Sequence, residues 1–358
     1  MTMKLLIAGG GTGGHVFPAL AVAREWLSRD AEREVVFVGT ERGLEAKLVP
    51  QSGFPLETIR VAGLKGIGGT RLVRNAAMLF PALWDSAALL RRHRFAAGFG
   101  VGGYAAGPVI LAAAAHFLPT VIFEPNAEPG FTNRILANLA TRVATAYEAA
   151  ARRMGRKAVV TGCPVRREFF DCPPREHAAP FHVLITGGSQ GALAINRAVV
   201  DALDLLAVRK KELSLVHQTG ERDYNAVRVA YARREFPAEV QPFLSNMAEH
   251  FAQADLIVCR AGAITVAEVA AAGRAAILIP FGAATDSHQL RNAQMLEHAG
   301  AARVIREDAL TPERLASEIL ALLDRPGRLQ EMEQRVRQLA RPRAAEDIVD
   351  LIEQVARR

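Results

Sequence analysis

The sequence predicts an α/β protein of two domains, each built on a parallel β-sheet. The first observation is an apolar run at residues 5–8 that stops at a block of glycines and is followed by a helix-like segment. The second is that residues 183–191 repeat this pattern. The third is the length of 358 residues with 50% hydrophobic content, which suits two soluble domains. Strands that alternate with helices form parallel sheets, which bind ligands at the carboxyl ends of their strands.

The composition limits the class of protein. The net charge of +7 is compatible with a nucleotide, a nucleic acid or an anionic membrane as partner. The three cysteines form no C-x-x-C pair, so we expect a reducing cytoplasm, no disulfide framework and no zinc site. Residues 5–8 are too short for the core of a signal peptide. Residues 95–123 lack Asp, Glu, Lys and Arg, but their glycines and prolines favour a buried strand, turn, helix and strand over a membrane span.

In the first half, apolar runs and glycine turns set the expected order of elements. A helix follows the opening turn to about residue 28, and further helices are expected at 44–49, at 71–93 with a bend at Pro81, and at 109–117. A second glycine turn is expected at 98–104. The expected strands lie near residues 35–38, 56–61, 95–97, 120–123, 143–144 and 158–160.

The second half restarts after a proline-rich stretch. Residues 171–180 lose periodicity and are the best candidate for a linker. Strands are then expected at 183–186, 213–217, 256–259 and 276–280, each followed by a glycine or polar turn. Thr311 and Pro312 form a helix start, an N-cap followed by a first-turn proline. Helices near 315–323, 329–339 and 344–355 end the chain.

The opening turn is a candidate phosphate site. Gly9, Gly11 and Gly14 match the G-x-G-x-x-G spacing of dinucleotide-binding proteins, in which backbone N–H groups at a helix N-terminus hold a phosphate. A dehydrogenase would also need an acid near the end of the second strand for the ribose, and Glu41 is poorly placed for that role.

A stronger candidate for the ribose lies in the second half. Residues 263–268 open a helix directly after the turn at 260–262. A diphosphate at this helix N-terminus would be stabilised by a few tenths to ~1 kcal/mol. Glu268, about one turn into the helix, is suited to accept both ribose hydroxyls. The alternative is that Glu268 only complements the helix dipole, which is worth ~0.3–1 kcal/mol.

A series of motifs follows the chain from residue 10 to residue 293. They are GGTGGHVFPAL at 10–20, GVGGY at 100–104, EPN at 124–126 with GFTN at 130–133, GCPVR at 162–166, GGSQGA at 187–192, CRAGAITVAE at 259–268, and HQ at 288–289 with NA at 292–293. In this order they resemble the MurG family, bacterial transferases that add N-acetylglucosamine to the lipid-linked muramyl-peptide precursor of the cell wall.

The resemblance implies a GT-B fold, in which two Rossmann-like domains with parallel sheets face each other across a cleft. Residues 1–163 would form the acceptor domain on the membrane side and 164–341 the UDP-sugar domain. The helix in 342–358 would pack back on the first domain. The donor would be UDP-N-acetylglucosamine and the acceptor lipid I, joined with inversion through a β-linkage to the muramyl 4-hydroxyl to give lipid II. No obligatory metal or cofactor and no nucleic acid are implied, and the chain has no Asp-x-Asp pair.

The resemblance also implies roles for individual residues. His15 is the candidate general base, because imidazole accepts a hydroxyl proton near neutral pH; the alternative is a hydrogen bond at the helix start. Glu124 is a second candidate base, or else a structural acceptor at a strand end. The acceptor side would also include Tyr104, Thr132 and Asn133.

The residues implied for the donor come from both halves. Thr12, Gly13 and Gly14 would lie near the diphosphate and the acceptor, Arg166 and Ser189 beside the diphosphate, and Leu244 beside the uracil. Asn126 would contact the transferred sugar. Gln289 together with His288 would bind the hydroxyl groups of that sugar. The nucleotide would be held by the start of a helix, with Glu268 on the ribose. The other residues of this helix start are Ala263, Ile264, Thr265, Val266 and Ala267.

The sequence departs from the family at a few of these positions. The family usually has His-Glu-Gln-Asn where this chain has Phe123-Glu124-Pro125-Asn126, which changes the acceptor loop but keeps its Glu and Asn. Cys163 replaces the usual Asn before Pro164, and Ala261 replaces the usual Ser after Arg260. None of these changes removes a residue assigned to the donor.

The helix expected at 71–93 has two interpretations. Arg71 and Arg74 beside Leu79 and Trp84 are typical of contact with an anionic membrane, which suits a peripheral enzyme on the cytoplasmic face of the inner membrane. The alternative is an amphipathic helix packed on the core, and it is favoured for Leu79 and Phe80.

Three other functions remain open at this stage. The same fold is compatible with a transferase for a soluble acceptor, with a protein that binds or epimerises a nucleotide sugar, and with a dehydrogenase. Turnover of a lipid I analogue, release of a free UDP-sugar product, and binding of NAD would distinguish them.

Overall fold

The computed structural model describes residues 3–61, 79–282 and 287–357. The chain forms two compact units. Unit 1 comprises Met1–Val165 together with Arg343–Arg358, and unit 2 comprises Arg166–Pro342. The expected fold class is confirmed, because each unit is built on a parallel sheet with helices between its strands.

Among the described residues, unit 1 has one sheet in the order β3-β2-β1-β4-β5-β6-β7. Its strands are β1 (Lys4–Gly9), β2 (Glu34–Gly39), β3 (Leu56–Thr58), β4 (Ala97–Gly102), β5 (Thr120–Glu124), β6 (Arg142–Thr145) and β7 (Ala158–Val160). Its helices before residue 165 are α1 (Gly13–Ser28), α2 (Glu45–Gln51), α3 (Leu79–Arg92), α4 (Ala106–Ala115), α5 (Phe131–Leu139) and α6 (Glu148–Met154). The strand order reverses between β1 and β4, and this switch point leaves room for a ligand.

Unit 2 repeats this topology, with the strand order β10-β9-β8-β11-β12-β13. Its described strands are β8 (Phe181–Thr186), β9 (Leu213–Gln218), β10 (Ala238–Gln241), β11 (Leu256–Cys259), β12 (Ala276–Leu278) and β13 (Ala302–Val304). Its α-helices are α7 (Leu193–Leu206), α8 (Tyr224–Arg233), α9 (Met247–Gln253), α10 (Ala263–Ala272), α11 (His288–His298), α12 (Pro312–Leu323) and α13 (Pro326–Arg337). The switch point of this sheet lies between β8 and β11.

The second glycine turn is shorter than the sequence analysis expected. Residues 98–102 belong to β4, which pairs with β1 and β5. Gly100 lies inside this strand, and its lack of a side chain makes room for α4, because a Cβ there would come within 2.8 Å of Ile110 Cγ1. The chain turns only at Gly102 and Gly103, whose φ angles of 93° and 82° favour glycine.

The two edge strands of unit 2, among its described residues, were not expected from the sequence. β10 and β13 have four and three residues, and each carries polar side chains: Glu239 and Gln241 in β10, and Arg303 in β13. Edge strands face water along one side, so their sequences lack the continuous apolar run of a central strand such as β8.

The expected linker at 171–180 is wrong, because this stretch is fixed within unit 2. Arg175 Nε lies 3.1 Å and His177 Nδ1 2.9 Å from Oδ1 of the buried Asp255. The buried Arg274 donates a hydrogen bond of 2.7 Å to the Pro173 carbonyl oxygen. Although burial lowers the pKa of His177, the carboxylates of Asp255 and Glu333 outweigh it and raise that pKa to about 9.

The last helix, α14 (Ala344–Ala356), belongs to unit 1 and packs on α1. Its apolar face is buried through Ile348 and Ile352. Arg29 on the end of α1 donates to Asp350 and Glu353, at 2.6 and 3.0 Å, and Arg33 donates to Glu353 at 2.9 Å. The amphipathic pattern at the end of the sequence is therefore satisfied within unit 1.

Residues 95–123 form part of the unit 1 core, as expected. They contain β4, α4 and β5, and Phe99, Ile110 and Ile122 are fully buried. Within the three described ranges, no helix has both the length and the apolar character needed to span a bilayer.

Candidate functional site

The turn after β1 places His15 at the switch point of unit 1. α1 begins at Gly13, and Thr12 precedes it in an extended conformation. The His15 ring lies against β4, since a Cβ on Gly102 would come within 2.9 Å of its Nε2. Likewise, a Cβ on Gly103 would come within 2.2 Å of the Gly10 carbonyl oxygen. Gly102 at the end of β4 and Gly103 directly after it therefore allow the turns that follow β1 and β4 to touch.

The hydrogen bonds of His15 define its tautomer. Nδ1 lies 3.0 Å from the Gly10 carbonyl oxygen and 3.3 Å from Thr12 Oγ1. A carbonyl oxygen can only accept, so Nδ1 carries the proton in this geometry. In the neutral ring Nε2 is then the basic nitrogen. The structure thus supports the helix-start hydrogen bond foreseen for His15 and is compatible with a basic role for the opposite nitrogen.

Glu45, which the sequence analysis did not single out, supports the same turn. Its side chain is buried, with the residue 1% exposed. Oε2 accepts a hydrogen bond of 2.6 Å from Gly11 N, and Oε1 accepts from Thr40 N at 2.9 Å and from Thr40 Oγ1 at 2.8 Å. The carboxylate thus takes the Gly11 N–H group that a phosphate would use in a dinucleotide site. This arrangement disfavours the dinucleotide interpretation of the opening turn.

Glu124, at the end of β5, acts as a structural acceptor. It is 1% exposed, and its oxygens accept hydrogen bonds from Asn126 N, Asn126 Nδ2, Gly130 N and Asn133 Nδ2 at 2.9 to 3.0 Å. The carboxylate shapes the loop between β5 and α5, because it fixes both ends of that loop. Of the two roles expected for Glu124, the geometry therefore favours the structural acceptor over the alternative base.

The other residues expected on the acceptor side lie around this loop and the turn after β4. Asn133 is buried and also donates a hydrogen bond of 3.0 Å to the Phe123 carbonyl oxygen. Thr132 is exposed at the start of α5, and Tyr104 is exposed directly after β4. β1, β4 and β5 are neighbours in the sheet, so His15, Tyr104 and Glu124 all follow the carboxyl ends of adjacent strands.

In unit 2, the turn after β8 is packed closely against the turn after β9. Gly191 has a φ of 73°, and a Cβ there would lie 2.0 Å from the Thr219 carbonyl oxygen. Ser189 is exposed within the turn, at the position expected for contact with a diphosphate. Gln218 joins these elements, because its Nε2 donates to the Gly188 carbonyl oxygen at 2.9 Å and its Oε1 accepts from Leu244 N at 2.9 Å. The turn after β8 and the Leu244 segment are thus held by one side chain.

The turn after β11 opens α10, which carries Glu268. Asn292 Nδ2 donates a hydrogen bond of 3.3 Å to the Ala261 carbonyl oxygen and thereby supports this turn. The side chain of Glu268 is 12% exposed, and its Oε1 lies 3.6 Å from Nη2 of Arg166. Burial raises the pKa of Glu268 to about 7, although the guanidinium of Arg166 acts in the opposite direction. Arg166 itself stacks on Phe169, with 4.9 Å from its Cζ to the ring centroid.

The remaining residues expected on α10 occupy its first turns. Ala263, Ile264 and Val266 are buried, and Thr265 and Ala267 are half-buried. The helix is ten residues long and begins directly after Gly262. As in any α-helix, its first N–H groups have no partner within the helix and point out of its N-terminus. This end of α10 is therefore suited to an anionic group, as the sequence analysis expected.

A cavity of about 450 Å³ lies at the switch point of unit 2. Its lining includes Gly187 and Gly191 from the turn after β8, Arg197 from α7, and Gln289 from α11. Gln289 Oε1 accepts a hydrogen bond of 3.0 Å from Phe281 N, and His288 is half-buried beside it at the start of α11. The cavity is the right size for part of a small polar ligand.

Arg260, which the sequence analysis named only as part of a motif, forms one wall of this cavity. It is paired with Glu307, donates to the Ile279 carbonyl oxygen at 3.2 Å, and lies over the Phe281 ring at 5.1 Å. These contacts hold the guanidinium in one place. No signal in the sequence pointed to Phe281 or Glu307, because both come from other segments of the chain.

The surface of α3 corrects one expectation of the sequence analysis. Phe80, expected to pack on the core, is 77% exposed, and Trp84 one turn later is 68% exposed. Both therefore lie on the solvent side of α3. Arg71 and Arg74 lie outside the described residues, as does the side chain of Leu79. Pro81 lies in the first described turn of α3.

Comparison with known proteins identifies the family. Residues 5–145 match the model of the glycosyltransferase family 28 N-terminal domain, and residues 182–349 match the C-terminal domain of the same family. A UDP-N-acetylglucosamine–N-acetylmuramyl-(pentapeptide) pyrophosphoryl-undecaprenol N-acetylglucosamine transferase from Myxococcus xanthus is 47% identical over 98% of this chain and 92% of its own. The transferase of the same name from Anaeromyxobacter sp. strain Fw109-5 is also 47% identical, over 99% of this chain and 94% of its own.

A solved structure agrees with these sequence relatives. The crystal structure of Acinetobacter baumannii MurG is 35% identical, covers 98% of this chain and 99% of its own, and superimposes with a TM-score of 0.79. The resemblance noted from the motifs is thereby confirmed. The chain belongs to glycosyltransferase family 28 and, within it, to the MurG family.

Proposed function

We propose that this chain transfers N-acetylglucosamine from UDP-N-acetylglucosamine to the 4-hydroxyl of the muramyl unit of lipid I, forming lipid II with inversion at the sugar carbon. The observation that carries the proposal is the 47% identity, over 98% of the chain, with a transferase whose name states this sugar donor and a muramyl-peptide lipid acceptor. The arrangement of residues in each unit supports it.

Unit 2 is proposed to hold the donor. Glu268 accepts the ribose hydroxyls, and the N-terminus of α10 with Arg166 and Ser189 faces the diphosphate. The segment at Leu244 flanks the uracil, and Gln289 with His288 binds the sugar. The support for this assignment is that one cavity is lined by the glycine turn, Arg260 and Gln289, and that Arg166 lies 3.6 Å from Glu268.

Unit 1 is proposed to act on the acceptor. His15 takes the proton of the muramyl hydroxyl through Nε2, while Nδ1 stays bonded to the Gly10 carbonyl oxygen. Asn126 contacts the transferred sugar, and Glu124 fixes the conformation of the loop around Asn126 by accepting its hydrogen bonds. The hydroxyl oxygen then forms the new bond to the sugar carbon as the bond to UDP breaks, and the leaving diphosphate carries away the electron pair.

Stabilisation of the leaving diphosphate is proposed to come from the protein itself. Backbone N–H groups at a helix N-terminus and a positioned guanidinium stabilise the negative charge that develops in the transition state. The start of α10 and Arg166 provide both. The transferase is therefore expected to need no obligatory metal ion.

The experiment that tests this function measures transfer of labelled N-acetylglucosamine from UDP-N-acetylglucosamine to a lipid I analogue. A soluble muramyl peptide without the lipid and a donor-only reaction are run beside it. We expect rapid transfer to the lipid I analogue and one UDP released for each sugar transferred. Transfer only to soluble acceptors, or a UDP-sugar epimer in the donor-only reaction, would contradict the proposal.

The enzyme is further proposed to sit on the cytoplasmic face of the inner membrane, with α3 against an anionic lipid surface. The support is that Phe80 and Trp84 are both largely exposed and lie one turn apart on α3, which ends in Arg91 and Arg92. Aromatic side chains beside cations bind the interface of anionic bilayers. A lipid-anchored acceptor would be reached from such a surface.

Vesicle co-sedimentation tests this surface. The Phe80→Ser/Trp84→Ser double variant and an Arg71→Glu/Arg74→Glu variant are compared with the wild type on vesicles with and without anionic lipid. We expect both variants to bind anionic vesicles more weakly and to keep their transfer rate on a soluble analogue of the acceptor. Unchanged binding of both variants would contradict the proposed surface.

A further inference from the structure

The peptide group between Gly10 and Gly11 connects Glu45 to His15. Its N–H, which belongs to Gly11, donates to Glu45 Oε2 at 2.6 Å. Its carbonyl oxygen, which belongs to Gly10, lies 3.0 Å from His15 Nδ1. A peptide group is planar and conjugated, so a negative partner at its N–H end makes its oxygen a better acceptor. Glu45 and His15 are thus joined through a single peptide.

Three glycines leave room for this carboxylate. A Cβ on Gly10, Gly39 or Gly43 would come within 2.2, 2.4 or 2.0 Å of an atom of the Glu45 side chain. Gly10 directly follows β1, Gly39 is the last residue of β2, and Gly43 precedes α2. The absence of side chains at these three positions makes room for the buried carboxylate, and its hydrogen bonds with Gly11 and Thr40 hold it in place.

We propose that Glu45 is a positioning residue for the transfer reaction: its carboxylate holds and polarises the Gly10–Gly11 peptide, which fixes His15 with the proton on Nδ1 and with Nε2 as the basic nitrogen. This inference rests on the proposed role of His15 in the transferase. In serine proteases a carboxylate bonds directly to the histidine that it orients. Here one peptide group stands between the two side chains.

The Glu45→Gln variant tests this connection. Both carboxylate oxygens accept from N–H groups, so the amide NH₂ of glutamine must face either Gly11 N or Thr40 N, and the peptide loses its charged partner in either orientation. A second variant, Gly43→Ala, keeps the acid but places a methyl group 2.0 Å from Oε2 and displaces it. Glu57→Gln is the matched control, because Glu57 is a half-buried acid of unit 1 that pairs with Arg92 and His93.

The decisive readout is the tautomer of His15, measured from the ¹⁵N resonances of its ring in the full-length protein. The wild type and Glu57→Gln are expected to show the proton on Nδ1. Glu45→Gln and Gly43→Ala are expected to show a mixture of the two tautomers. In the lipid I analogue assay, both variants should lose about tenfold to a hundredfold in kcat with little change in the donor KM.

The outcomes separate this inference from the proposed function. A tautomer in Glu45→Gln and Gly43→Ala identical to that of the wild type overturns the positioning role, even if kcat falls, because the loss is then structural. A mixed tautomer with an unchanged kcat overturns the connection to catalysis. If the wild type transfers no sugar to the lipid I analogue, the proposed function fails, and the tautomer measurement still decides whether Glu45 orients His15. Circular dichroism and the thermal midpoint show that each variant is folded.

Discussion

Donor binding should depend on pH through Glu268. Burial raises the pKa of this carboxyl group to about 7, and only the ionised form can accept hydrogen bonds from both ribose hydroxyls at full strength. With a pKa near 7, about a tenth of the protein is ionised at pH 6 and about nine tenths at pH 8. The apparent Kd for UDP-N-acetylglucosamine should therefore be about tenfold higher at pH 6 than at pH 8.

The Glu268→Gln variant should remove this dependence. Hydrogen bonds to a charged group contribute about 1.5–3 kcal/mol each, so replacing the carboxylate by an amide should weaken binding at pH 8 by about 2 kcal/mol, or about thirtyfold in Kd. Because the amide does not titrate, the affinity of the variant should be nearly the same at pH 6 and pH 8. Glu268→Ala should behave likewise and should mainly raise the donor KM in the transfer assay.

Titration calorimetry with UDP-N-acetylglucosamine measures these affinities without an acceptor. The nucleotide sugar is the correct probe, because its diphosphate is esterified at both ends and does not titrate in this range. Glu249→Gln, which alters an exposed carboxyl of unit 2, is the control and should keep the wild-type pH dependence. A Glu268→Gln variant that binds as tightly as the wild type, or that keeps the tenfold change with pH, would refute the assignment of the ribose to Glu268.

Three further predictions concern the chemistry and the packing. His15→Ala should lower kcat by about 10²-fold or more with little change in the donor KM, and a kcat near that of the wild type would show that His15 is not the base. Gly191→Ala should lower the free energy of unfolding in urea by more than Gly188→Ala does. Both residues have a positive φ, but only a Cβ at 191 would meet a backbone oxygen, at 2.0 Å. Equal losses of unfolding free energy in the two variants would contradict this packing argument. Glu353→Gln should lower the free energy of unfolding by about 1 kcal/mol at pH 7, because burial of Glu353 is outweighed by the hydrogen bonds from Arg33 and Arg29, which lower the pKa of Glu353. This loss should shrink as the pH falls below about 4, where the carboxylate becomes protonated. A loss that persists at that pH would argue against the ion pair.

The central strands and their turns could be predicted from the sequence because they depend on local pattern. β1 and β8 are buried on both faces, so each appears as a continuous apolar run that ends in glycines. The N-terminus of α10 was equally visible, since a strand, a short turn and an apolar helix follow one another. The edge strands β10 and β13 lack that pattern, because the side chains of Glu239, Gln241 and Arg303 interrupt them and face water.

The contacts that hold the site together could not be predicted, because they join distant segments. Glu45 meets Gly11 across 34 residues, and nothing in the sequence around Glu45 marks it as a buried acid. The proline-rich stretch at 171–180 resembled a linker for the same reason: the partner of His177 is Asp255, 78 residues later. Motif resemblance supplied the candidate residues, whereas the hydrogen bonds of Glu124 were needed to favour its structural role.

The linkage formed in the product is the most direct test of whether this chain makes lipid II. Purified enzyme is incubated with UDP-N-acetylglucosamine and a lipid I analogue, and the anomeric proton coupling of the newly attached sugar is measured by NMR, with a chelator present in a parallel reaction. We expect one N-acetylglucosamine in β-linkage to the muramyl 4-hydroxyl, with the same yield when divalent cations are removed. An α-linked product, a sugar on another hydroxyl, or no transfer to the lipid-linked acceptor would contradict it.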